Sequence, residues 1–139
     1  MFVDYYNPGF GFSFNQSKKY SLIQCDYDVL FDKFILVDIV KGSCYEPNLE
    51  NNIRLYFQVG SQKALTDIYN NFEENQLSIY NIRPWEGRSY KEKFINGEKI
   101  IKFYFNLQQD RGLLFTYEGL NNSASQDLFW QIINSLRVY

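Results

Sequence analysis

The chain of 139 residues has no histidine, a single methionine, two cysteines and three prolines. Without an imidazole, the Ser–His–Asp and Cys–His nucleophilic systems are excluded, because both need that base near neutral pH. A zinc site would have to use two cysteines and carboxylates. Cys25 and Cys44 stand far apart in the chain, and neither CxxC nor HExxH spacing occurs, so no metal and no other cofactor is expected. No apolar run approaches the roughly 18 residues that a membrane helix needs. Basic residues are not in excess either. With 14 Lys and Arg against 16 Asp and Glu, a general nucleic-acid binder is not expected.

What is present is a globular composition: 45% apolar and 22% charged residues, with formal charge −2. A chain of this length forms one domain, 1–139, and buries about two thirds of its unfolded surface. Aromatics reach 19%, chiefly 13 Phe and 12 Tyr, and asparagine recurs in pairs such as Asn51-Asn52 and Asn121-Asn122. Codon bias in an AT-rich genome explains such a mixture. The functional alternative is that some tyrosines lie outside the core and form a contact surface. The N-terminus, Met1 to Pro8, lacks a basic leader and an apolar segment and is not a secretory signal. If Met1 is the native start, the location expected is cytoplasmic. Cys25 and Cys44 could form one bridge in an oxidising compartment; in the cytosol they are expected to be reduced, each a buried or idle thiol.

Apolar periodicity divides the chain into strands and two helices. Phe10 to Phe14 alternates with period two after the turn-forming Asn7-Pro8-Gly9. Phe34 to Val40 is a β-branched run, Ser43 to Asn52 a loop, and Ile53 to Val59 a further strand. Ser61 offers an N-cap, and Leu65, Ile68, Tyr69 and Phe72 put one apolar face on a helix over about 62–75. Leu77 to Ile82 is extended, with Pro84 expected to stop it. Asn96-Gly97, between Tyr90–Ile95 and Glu98–Leu107, is the pair a type I′ hairpin turn prefers. Leu113 to Glu118 adds a strand. Ser123-x-x-Gln126 reads as a capping box before an apolar stripe on a helix over about 124–136. The expectation is an α+β fold: an antiparallel sheet of about six strands with these two helices packed on it.

The order of helix 61–75, extended segment, hairpin through Ile95-Asn96-Gly97, strand Leu113 to Tyr117, and closing helix ending Ile132-Ile133-Asn134-Ser135-Leu136-Arg137 resembles the PsbP-like family. That group takes in the bacterial DcrB-like proteins and a eukaryotic nuclear-import release factor. The likeness covers about residues 53–137, and its motifs are those of a fold, not of a catalytic site. It implies a domain used mainly to bind other proteins.

Carboxylates are the remaining catalytic option. Asp26 and Asp28 share a face if extended, with Asp32 close by, and paired carboxylates serve glycoside hydrolysis. No sequence cue for a sugar cleft accompanies them, and Asp26-x-Asp28 lacks the glycine and terminal Glu of a calcium loop. Charge divides along the chain. Tyr20 to Glu50 carries net −4, and Arg83 to Lys102 net +3, where Tyr90-Lys91-Glu92-Lys93 reads as a solvated hairpin face with edge-protecting lysines. An acidic segment with interleaved tyrosines can steer a basic protein partner. The function expected is therefore that of a non-catalytic binder, a bacterial immunity protein that neutralises a basic toxin through Asp26, Tyr27, Asp28, Asp32, Tyr45, Glu46 and Glu50. Two alternatives stand beside it: a DcrB-like adaptor chaperone with an apolar groove lined by Tyr104, Phe57 and Leu114, and a carboxylate-dependent hydrolase.

Overall fold

The computed structural model describes residues 2–7, 9, 11–27, 29–73, 79–85 and 88–138, with 2–4, 6, 7, 26, 27, 73, 79–85 and 88 described at the backbone only. In chain order these form β1 (Phe2–Asn7), β2 (Phe12–Ser17), β3 (Tyr20–Tyr27), β4 (Phe31–Asp38), β5 (Arg54–Ser61), α1 (Gln62–Asn70), β6 (Ile79–Trp85), β7 (Arg88–Ile95), β8 (Glu98–Asn106), β9 (Arg111–Leu120), α2 (Ser123–Ser135) and β10 (Arg137–Val138). Seven strands make one antiparallel sheet in the order β3-β4-β5-β9-β8-β7-β6, and β1-β2-β10 make a smaller one. The fold is thus a single α+β domain, two helices on an antiparallel sheet, with a seventh strand and a small second sheet beyond the expected set.

Period-two alternation assigns each strand residue to a face. On one face Phe34, Leu36, Leu55, Phe57, Phe103, Phe105 and Phe115 meet Phe129, Ile132 and Ile133 of α2 and Phe12 and Phe14 of β2. Phe57 and Phe115, directly opposed on β5 and β9, stack at 4.1 Å, with Phe14 and Phe129 at 5.1 and 4.9 Å on either side. Each fully buried ring contributes roughly 2–3 kcal/mol. The alternation Phe12, Phe14 therefore serves to bring the small sheet onto this core.

The opposite face carries α1. Ser61 accepts a hydrogen bond from the Ala64 amide (3.3 Å) as the N-cap, and Leu65 is fully buried. The α-helix stops at Asn70 and tightens into a 3-10 turn over Asn71–Glu73, earlier than the apolar spacing suggested. In β7, Lys91, Glu92 and Lys93 are only 7, 4 and 8% exposed, which corrects the reading of this stretch as a solvated face. The reason is local. Lys91 Nζ donates to the Tyr69 carbonyl (3.0 Å) and Lys93 Nζ to the Phe72 carbonyl (3.2 Å), so both amines satisfy carbonyls at the end of α1 and its 3-10 extension. Cations there also complement the helix dipole. Glu92, on the other face, pairs with Lys99 at 3.0 Å.

β7 is not an edge, because β6 pairs along it from Ile79 to Trp85. Pro84 does not stop β6: as the last strand of the sheet it has one side free of ladder bonds, where proline is tolerated. The hairpin turn is as expected, with φ of 49° at Asn96 and 81° at Gly97. α2 is capped by Asn122, whose Oδ1 accepts from the Ser125 amide (2.8 Å), instead of by the Ser123 capping box. Gly60 marks a close approach: a Cβ there would lie 2.4 Å from the Leu30 carbonyl, which accepts from the Ser61 amide (2.8 Å) and seats the β3–β4 turn on the start of α1.

Candidate functional site

Strand β4 ends at Asp38, whose side chain organises the turn beyond the strand. Its Oδ1 accepts from the amides of Val40 and Lys41, both at 2.9 Å, and these bonds hold its carboxyl below the usual aspartate range. Gly42 closes the turn onto the Asp38 carbonyl at 2.8 Å, where a Cβ would meet Asp38 and Pro47 backbone at 2.6 Å. A second turn runs from Ser43 to Glu46, with the Ser43 amide on the Glu46 carbonyl (2.9 Å) and the Glu46 amide on Ser43 Oγ (3.1 Å). The two turns are tied together and to the sheet. The Pro47 carbonyl accepts from the Asp38 amide (2.8 Å), Asn48 Nδ2 donates to the Lys41 carbonyl (2.7 Å), and Arg54 Nη2 donates to the Tyr45 carbonyl (2.8 Å). Asn48, Asn51 and Asn52 take φ of 56, 63 and 54°, a conformation asparagine tolerates better than most residues.

Cys44 lies in the second turn and is joined to Cys25 of β3 by a disulfide, with the Cα atoms 5.6 Å apart. The reading of two idle, reduced thiols is thereby corrected. Spacing in the sequence could not show the pairing, because it depends on the loop folding back along β3 beside the register irregularity between Gln24 and Asp26. The face that the loop is tied to includes Ile35 and Val37, both buried.

This anchored loop presents apolar surface outward. Ile39, Val40 and Tyr45 are 57, 87 and 87% exposed, half of the six exposed large apolar side chains among the described residues. Apolar groups on a mobile tip are common. Here two turns, a side-chain cap and a covalent bond fix their positions, which is the preorganisation that lowers the entropic cost of binding.

The anticipated acidic site is rearranged around the disulfide. Asp28 lies outside the described residues. Asp26 and Tyr27 are placed by their backbone at the end of β3, immediately after Cys25, opposite Lys33 and Asp32. The disulfide therefore brings Tyr45 and Glu46 back toward this part of the hairpin. Glu50 does not join them: it pairs with Lys19 at 2.6 Å, which raises the Lys19 pKa and neutralises the carboxylate. Ile39 and Val40 were not anticipated as site residues, since a β-branched run gives no sign of which members the strand will leave outside.

The proposed chaperone groove does not form from its named residues. Phe57 and Leu114 are completely buried and face opposite sides of the sheet, one in the α2 core and the other under α1. Next to Leu114 a polar string crosses the second face. Lys102 Nζ donates to Thr116 Oγ1 (3.0 Å), Thr116 hydrogen-bonds Tyr56, and Tyr56 donates to Glu118 Oε1 (2.8 Å). Lys33 lies 4.4 Å from the Tyr56 ring centroid, and Lys102 and Lys93 lie 5.3 and 5.2 Å from that of Phe72. Burial, with Lys33 and Lys93 nearby, pushes the Lys102 amine down to about 8 against the opposing pull of Glu118. Burial and the Glu118 carboxylate push the Tyr56 phenol above its ordinary range. Aromatic faces and backbone carbonyls thus take part in holding the positive charge under α1.

Among the described residues no group of three His, Cys, Asp or Glu side chains is placed to hold a metal ion, and no helix is long and apolar enough to cross a membrane. The sequence matches no protein-family model and no curated protein. Its fold is similar to the solution structure of cyanobacterial PsbP (CyanoP) from Synechocystis sp. PCC 6803, with TM-score 0.58 and 10% identity over 99% of this chain and 92% of that one. A crystal structure from Bacteroides thetaiotaomicron VPI-5482 is similar over 98% of this chain, at TM-score 0.50 and 12% identity, the chain spanning 48% of that protein. At such identities the likeness is one of fold alone, and the fold of this chain is PsbP-like.

Proposed function

We propose that this is a non-catalytic protein-binding domain that docks its partner through the disulfide-anchored loop. The observation that carries the reading is the exposure of Tyr45 and Val40, each 87%, on a segment held by Cys25–Cys44 and by the Asp38 turn. A tyrosine on a segment held in place is a common anchor of a protein interface. Glu46, in the same turn as Cys44, gives the rim acidic character and favours a basic partner, which supports the inhibitor reading with a toxin domain as the protein neutralised. The disulfide itself supports an oxidising compartment over the cytoplasm.

The test is site-specific photocrosslinking in the native host, with the reactive amino acid at Tyr45, at Val40 and, as a control, at exposed Lys63 of α1. One protein adduct shared by positions 45 and 40 and missing from 63 supports the reading. Adducts indifferent to position, or none, overturn it.

A further inference from the structure

α2 lies beside β2, with the Asn15 amide donating to Ser135 Oγ at 2.9 Å. Along this side of the helix run two hollows, of about 260 and 530 Å³, that share Asp127 and Gln131 in their walls. They are consecutive stretches of one open trough. It follows α2 from Ala124 to Ser135, a length of ~16 Å at 1.5 Å per helical residue.

The chemistry of the walls is specific in type. Asn15, Asp127, Gln131 and Asn134 line the trough with amide and carboxylate groups whose side chains make no hydrogen bond among the described residues. Lys19 and Glu50, at one end, neutralise each other, so no free cation waits for a phosphate or carboxylate. Trp130 supplies the aromatic wall. Its indole is set nearly perpendicular to Tyr90, Phe103 and Phe129, at 72, 89 and 77°, and its Nε1 donates to Gln126 Oε1 at 3.4 Å, so the ring plane is fixed before any ligand arrives. An extended peptide would look for a strand edge to pair with, but the Asn15 amide at this place is already taken by Ser135.

We infer that the trough between α2 and β2 binds a linear, uncharged oligosaccharide. The Trp130 face takes the C–H side of one sugar ring, and Asn15, Asp127, Gln131 and Asn134 exchange hydrogen bonds with hydroxyls of that ring and its neighbours. This site is separate from the disulfide-anchored loop and stands or falls independently of it.

The chain has two tryptophans, so Trp85→Phe leaves Trp130 as the only indole reporter. Its fluorescence is titrated with cellohexaose, laminarihexaose, maltohexaose and chitohexaose. The expected result is a saturable change with at least one of them, weakened tenfold or more by Asn134→Ala and by Gln131→Ala. Both positions lie on the solvent side of α2, and circular dichroism with thermal melting verifies that these variants fold. Silence with all four sugars overturns the proposal, as does affinity unchanged in both alanine variants. Saturable binding of an uncharged hexapeptide with none of the sugars overturns it in favour of a peptide groove.

Discussion

Cys25, near the end of strand β3, and Cys44, in the loop that leaves β4, are bonded to each other with their Cα atoms 5.6 Å apart. This one bond turns a loop of otherwise polar turns into a fixed platform. Hydrogen bonds accepted by the Asp38 carboxylate and the Pro47 carbonyl and donated by Asn48 Nδ2 set its shape, and the disulfide sets its position over the hairpin.

Replacing both cysteines by serine removes that constraint. Cross-links of this span stabilise small domains by about 2–4 kcal/mol, and the β3–β4 hairpin already closes part of the loop, so the expected loss is about 2 kcal/mol. Urea unfolding gives that number. Hydrogen exchange places it: amides of 39–48 exchange faster, while those of β5, β8 and β9 keep their protection. Faster exchange spread evenly over the sheet would contradict the role assigned to the bond.

Gly60 and Gly97 separate two reasons for needing glycine. Gly60→Ala drives a Cβ against the Leu30 carbonyl at 2.4 Å, and the expected cost is about 2–3 kcal/mol, read as a lower urea midpoint. At Gly97 a Cβ meets nothing within 4 Å, but φ is +81°. Gly97→Ala is therefore expected to cost only about 1 kcal/mol, from backbone strain alone. Equal losses at the two sites would contradict the packing of the β3–β4 turn on α1.

Lys102 links stability to pH. Its amine sits near 8 in the folded protein and near 10.4 when unfolded, so between these values the unfolded chain holds more protons and stability rises with pH. The cost of burying the charge is complete below about pH 8 and disappears above about 10.5. Tyr56 and Tyr117, both raised by burial, act oppositely above pH 10, since the folded protein keeps phenolic protons that the unfolded chain loses. Comparison with Lys102→Met isolates the lysine. From pH 7 to 10 the stability gap should shift toward the wild type by about 1–3 kcal/mol. A gap independent of pH would place the amine in water.

Much of this fold was legible in the sequence because it rests on local signals. The Asn96-Gly97 turn, the Ser61 cap and the apolar stripe of Phe129, Ile132 and Ile133 all arise from neighbours a few residues apart. The features that escaped were non-local. Lys91 and Lys93 look solvated until β6 pairs outside β7 and α1 ends above them. The Cys25–Cys44 bond needs a loop that folds back. In the site, Tyr45 and Glu46 were visible as a tyrosine beside an acid, whereas the exposure of Ile39 and Val40 arises only because β4 ends at Asp38. Glu50 has the right charge, and its pairing with Lys19 removes it from the site.

The most direct test of docking through the anchored loop is the affinity of Tyr45→Ser and Val40→Ser variants for the partner captured by crosslinking. Both side chains are exposed, so neither change should lower the melting temperature appreciably. The expected result is a loss of at least tenfold in Kd for each variant, with Lys63→Ser binding as the wild type does. Wild-type affinity in both loop variants would contradict docking through this loop and move the interface elsewhere on the domain.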